Sequence, residues 1–110
     1  MIQVTIYKNE FNEFVGFQTL GHAGYADSGE DIVCAAASIL VINTMNAIEA
    51  FTSDDFTCDS EKESGMIHYK LSARPTKEAD LLLRTMILGL QDMEDDEHYG
   101  RYIDIIYKEV

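Results

Sequence analysis

Positive charge is scarce in this chain: Lys and Arg together number 8 against 20 Asp and Glu, a formal net charge of −12 at pH 7. Such a surface repels nucleic acid phosphates and anionic lipid, and it attracts a basic partner. Small proteins also carry acidic surfaces for solubility alone, so the imbalance excludes nucleic acid and leaves the partner to other signals. The charge is uneven, because the first 61 residues hold ten acids against Lys8 alone. Cysteine occurs twice, at Cys34 and Cys58, too few for a disulfide framework. The expectation is two reduced thiols in a cytoplasmic protein. Proline occurs once, and there is no repeat, low-complexity tract or linker, so residues 1–110 read as a single domain. No long apolar run with a basic flank opens the chain, so neither a signal peptide nor a membrane span is expected.

What is present suffices for a core, since 46% of the 110 residues are apolar. Ile2, Val4 and Ile6 alternate with polar residues as a strand does, and after a turn at residues 8–12 a second extended run covers residues 14–20. This predicts a hairpin. From Ile32 to Phe51 no Gly or Pro intervenes, and apolar residues fall on nearly every side of a helical wheel. A helix apolar all round needs cover on more than one side, so it is either central or shared with a second subunit. Residues 56–59 and 66–71 predict another hairpin, turned at residues 61–65. Pro75 and Thr76 open a second helix, amphipathic through Ala79, Leu82, Met86, Leu90 and Met93. Its acidic end, residues 92–97, is disfavoured by the helix macrodipole and predicts a frayed end or loop. A last strand at residues 102–107 completes the order ββαββαβ. The fold class is therefore α+β: a layered sandwich with a mostly antiparallel sheet, a central apolar helix and a second, amphipathic one.

The chemistry concentrates in residues 21–38, GHAGYADSGEDIVCAAAS. His22 ends a strand and Cys34 starts a helix twelve residues later, so the connection can bring a base and a nucleophile within hydrogen-bond distance. Asp31 reads as the helix N-cap, its carboxylate accepting from the N–H of Val33 or Cys34, which would place the thiol in the first turn. A rival start uses Ser28 as the cap and sets Cys34 deeper in the helix. A helix N-terminus and an imidazolium both favour thiolate, while Asp27, Glu30 and Asp31 oppose it. Ser38, one turn on, is placed to bond back to Cys34 or to the backbone, or simply to admit a close neighbour. Gly21, Gly24 and Gly29 let the backbone approach an extended peptide, and Tyr25 is either a substrate contact or a lid. A cysteine among alanines on an apolar helix is also an ordinary small core residue, and the pattern alone leaves both readings standing.

The run Gly21-His22-Ala23, followed by Asp31-Ile32-Val33-Cys34-Ala35-Ala36 and Ser38, resembles the signature of the ribosomal-processing cysteine protease family. The resemblance implies a cysteine endopeptidase with a dyad of His22 as general base and Cys34 as nucleophile. Gly21, Ala23, Gly24, Asp31 and Ser38 would then bind substrate or support the dyad. It implies as substrate a basic ribosomal protein precursor, whose N-terminal extension, on the twenty-seventh protein of the large subunit, is removed by thiolate acyl transfer. It also implies a homodimer, with no metal or organic cofactor. Backbone N–H groups near Cys34, its own included, would be the oxyanion donors at a helix start. The competing reading is a non-catalytic acidic dimeric module that holds a basic ribosomal protein during assembly. Cys58 and His68 fall on predicted paired strands, and a zinc site joining them to His22 and Cys34 would need ligands from scattered elements.

Overall fold

A computed structural model of the protein describes residues 1–21 and 28–110, with residues 28–30 described by their backbone only. Its elements are β1 (Ile2–Lys8), β2 (Phe14–Leu20), α1 (Ser28–Phe51), β3 (Phe56–Glu61), β4 (Met66–Leu71), α2 (Lys77–Asp95), a 3-10 turn (Gly100–Tyr102) and β5 (Ile103–Glu109). The strands form one sheet in the order β3-β4-β2-β1-β5. Among the described residues only β1 and β5 run parallel, and the other pairs are antiparallel. The β1–β2 turn is closed by Asn9, whose side-chain oxygen accepts from the N–H groups of Phe11 and Glu13. Asn12 takes the left-handed conformation there at φ 61°, which asparagine tolerates better than most residues.

Alternation gives the sheet one apolar face. Val4 lies opposite Thr19 and Ile105, and Ile6 opposite Phe17, and all of these are buried. Both helices cover that face. On α1 the inward stripe is Val33, Ala37, Val41, Thr44 and Ile48, at the three- and four-residue steps of a helix face. Gly89 of α2 allows the two helices to approach closely, since a Cβ there would meet Leu40 at 2.9 Å. The start of α2 is fixed by Thr76, which accepts from the Ala79 N–H and donates its own hydroxyl to Asp54 at 2.5 Å. Asp54 also accepts the Thr76 N–H at 2.9 Å, so the loop after α1 anchors the beginning of α2.

Three local expectations are corrected. The α1 helix starts at Ser28, so Asp31 stands inside it and is not the N-cap. The acidic stretch is not frayed: α2 runs to Asp95, Glu94 accepts the Ile105 N–H at 2.8 Å, and the Asp96 carboxylate accepts from His98 and Tyr99 at 2.8 Å. Those bonds offset the unfavourable dipole by tying the end of the helix to the edge of β5 and to the following turn. The last strand is Ile103–Glu109, reaching two residues beyond expectation, because parallel pairing with β1 continues to Lys8.

By length and composition residues 31–51 also qualify as a membrane-crossing helix. Their inward stripe nevertheless packs on the sheet, and Asn43, Asn46 and Glu49 interrupt the outer side. That outer side is where α1 lacks cover, with Ile32 52%, Ile39 69% and Ile42 45% exposed.

Candidate active site

Cys34 reaches the sheet where three strand ends meet. It is half-buried and packs against the core, in the wall of a cavity of about 40 Å3 shared with Ile2, Thr19, Gly21, Ala37 and Ile67. On its outer side it borders a groove of about 250 Å3 that runs to the β3–β4 hairpin. The sulfur is thus held from beneath by strand ends and approached from the groove.

Since α1 begins at Ser28, Cys34 lies in the second turn. Two consequences follow from helix geometry. Its amide is bonded within the helical ladder, so Cys34 does not supply its own oxyanion donor. The helix-end field, which fades within a turn, loses its geometric basis as an activator at this position.

Gly21 is required where it stands. It has φ +94°, and any Cβ would collide with the Met1 carbonyl, so only glycine closes β2 beside the first strand. Its N–H donates to the Ser64 carbonyl at 2.9 Å, which clamps the end of β2 to the β3–β4 turn. Ser38 is exposed one helical turn from Cys34 and lines both spaces. Among the described residues its hydroxyl bonds neither Cys34 nor the backbone, so it faces the groove as an available donor and acceptor. Asp31 is exposed near the start of α1. His22, Ala23 and Gly24 lie outside the described residues, as do Tyr25 and Asp27.

The far wall of the groove was not anticipated as part of the site. It consists of Ser60, Glu61, Lys62, Gly65, Met66 and Ile67. The signal was present, because residues 61–65 read as a hairpin turn, and Gly65 adopts φ 67° there. Sequence pattern simply does not tell which distant turn a helix will face. The wall offers apolar surface from Met66 and Ile67, a hydroxyl from Ser60 and one charge of each sign from Glu61 and Lys62. The groove thus offers apolar surface and polar groups side by side, next to a thiol.

Cys58 lies elsewhere. It sits on edge strand β3 with its sulfur 3.9 Å from the Met45 sulfur, and burial, then the Asp59 carboxylate, pushes its thiol up from the ordinary range. His68 is on β4 opposite Asp59 and Gln18, on the sheet face away from the helices, its ring edge-on to Tyr7. Among the described residues no group of three or more His, Cys, Asp or Glu is placed to hold a metal ion.

A sequence model of the family described as Cysteine protease Prp matches residues 1–104. The ribosomal processing cysteine protease Prp of Staphylococcus aureus is 34% identical over 108 residues, covering 98% of this chain and 100% of that one. The crystal structure of the essential ribosomal processing protease Prp from S. aureus in complex with a substrate peptide superposes with a TM-score of 0.89 at 33% identity. Its counterpart with a covalently linked product peptide gives 0.85 at 34% identity; each comparison covers 98% of this chain and all of the other.

Proposed function

We propose, from the premise that this chain belongs to the Prp cysteine protease family, that it removes the N-terminal extension of a large-subunit ribosomal protein, the twenty-seventh, with Cys34 as nucleophile and His22 as base. The observation that carries the reading is the half-buried Cys34 at the edge of an open groove of about 250 Å3. In this mechanism His22 takes the thiol proton and the thiolate attacks the scissile carbonyl. The resulting imidazolium gives its proton to the departing amine, and water, deprotonated by His22, releases the acyl group. The chain segment being cut runs along the β3–β4 wall, where Met66 and Ile67 take apolar side chains. Ser38 offers a hydroxyl to the peptide backbone, Gly21 holds the groove's inner corner open, and Ala23, Gly24 and Asp31 are assigned supporting roles to the dyad. No cofactor enters any step.

The substrate reading draws support from charge, since a chain at −12 attracts a basic ribosomal precursor and speeds its encounter. We place the enzyme in the cytoplasm, as a homodimer that covers the outer face of α1. Ile32, Ala35, Ile39, Ile42 and Asn46 recur there at three- and four-residue steps, the spacing of a helix–helix seam. Incubating the purified chain with the extended precursor and locating any cut by mass tests the reaction. A single cut at the extension junction, lost in His22→Ala, is the expected result; an intact precursor would remove the substrate assignment. Sedimentation of Ile39→Asp, expected to be monomeric while the parent is dimeric, tests the seam.

A further inference from the structure

A second cavity among the described residues lies away from the Cys34 groove. It is a cleft of about 410 Å3 at the opposite end of the sheet, lined by Lys8, Phe14, Arg84, Leu88, Gln91 and Tyr107 over Ile87. The seven residues of β1 separate the two sites, from Ile2 beneath Cys34 to Lys8 at this cleft, a span of roughly 20 Å at the rise of a strand.

Its charge is opposite to that of the chain. Lys8 Nζ stands 5.3 Å from the centre of the Phe14 ring and 5.4 Å from that of Tyr107, and the Arg84 guanidinium stands 5.0 Å from the Phe14 ring. Two cations converge on one aromatic ring, and among the described residues no carboxylate lines the space. Asp80, just behind it, uses one oxygen for the Phe14 N–H at 3.0 Å and the other for Arg84 Nε at 2.6 Å. Those two bonds orient the Arg84 fork. Its terminal nitrogens keep their donors among the described residues, and Lys8, which donates at 3.2 Å to Asn12, has further N–H groups to give. Tyr107 accepts from Gln91 and retains its own O–H to donate. Opposite these donors lies apolar surface from Phe14, Ile87 and the exposed Leu88.

We propose that this cleft binds a small organic anion, a carboxylate or phosphate carried on an apolar body. The anionic head sits between Lys8, Arg84 and the Tyr107 hydroxyl, relieving the repulsion of the two cations, and the body lies along Phe14 and Leu88. The volume falls in the range of small-molecule sites, roughly 300–1,000 Å3. This site is independent of the peptidase reaction and of its substrate.

The test is a titration of the full chain followed by backbone amide shifts, with phenyl phosphate and phenylacetate as probes and benzyl alcohol and inorganic phosphate as controls. Saturable shifts at Phe14, Leu88 and Tyr107 are expected with both probes, and the tighter of the two identifies the head group. Benzyl alcohol and inorganic phosphate should each bind at least about tenfold more weakly. Lys8→Gln and Arg84→Gln should each weaken binding several-fold, and the double variant about tenfold or more. The proposal is overturned by the absence of saturable shifts up to about 10 mM, by benzyl alcohol or phosphate matching the probes, or by unchanged affinity in the double variant.

Discussion

The two halves of α1 serve opposite ends. Around its C-terminal half the polar groups are tied together: Thr52 donates to the Ile48 carbonyl, Asp54 accepts from Thr76 twice, and Cys58 turns its sulfur onto Met45. Tyr69 lies fully buried between Phe17 and Phe56 close by. Around the N-terminal half the side chains of Cys34 and Ser38 face a groove, and the one clamp among the described residues there, from Gly21 to Ser64, is a backbone bond that holds the floor. One cysteine sits on an edge strand with its sulfur against Met45, and the other borders the groove. Among the described residues this fold uses its polar bonding to fix where elements begin and end, and leaves Cys34 and Ser38 facing the groove.

The hardest test of that contrast is to delete each sulfur in turn. Cys34→Ala should lower precursor cleavage by roughly 10³-fold or more, whereas Cys58→Ala should change it by no more than about twofold, measured as initial rates on folded protein. Comparable losses in both variants would erase the distinction.

The bonded end should carry the larger stability effect. Asp54→Ala removes the acceptor of two Thr76 bonds and should destabilise by about 2 kcal/mol in denaturant unfolding, with cleavage by the remaining folded enzyme unaltered. Burial works to raise the Asp54 carboxyl, but the Thr76 and Thr52 hydrogen bonds outweigh it and hold the group below its ordinary value. A group depressed in the folded state contributes stability above its unfolded pKa and loses it as pH falls through the folded one. Acid unfolding below about pH 4 should therefore be steeper in the parent than in Asp54→Ala. Equal slopes would place the bonds' contribution elsewhere.

Alkylation sharpens the same comparison. Exposure alone favours Cys58, which is exposed where Cys34 is half-buried. With its thiol pushed up by burial and by Asp59, and if His22 serves Cys34 as proposed, the order should invert: iodoacetamide should modify Cys34 at least about tenfold faster at neutral pH, read by mass of each peptide. A faster Cys58 would contradict the assignment of roles.

The smallest expected effect is at Tyr69. Among the described residues its buried hydroxyl has no hydrogen-bond partner, and burial pushes its ionisation well above the ordinary phenol range. Tyr69→Phe should accordingly be neutral or stabilising by up to about 1 kcal/mol, without effect on cleavage. A clear loss of stability would show that the hydroxyl is satisfied after all.

Much of the fold was legible in the sequence, because a period-2 run at residues 2–6, an extended run at residues 14–20 and a period-3.6 stripe from Ala79 to Met93 mark the elements, and the first and last also report which face is buried. The α1 start was not. Ser28 and Asp31 are both sound caps, and local chemistry ranks them too closely; the helix takes the longer option. The acidic stretch at residues 92–97 misled for a related reason, since the partners that stabilise it, the N–H groups of Ile105, His98 and Tyr99, include one across the fold.

Local pattern and charge by themselves determined the elements, their order, the acidic surface and the Cys34 motif, because each depends on neighbours within a few residues. Only the tertiary structure decided that the β3–β4 turn walls the groove beside Cys34, that the Cys58 sulfur lies against Met45, and that Lys8 and Arg84 meet over one Phe14 ring. The last of these pairs residues 76 apart in the chain. Contacts of that kind are set by how a sheet and its helices pack, a property of the whole core that no short window of sequence contains.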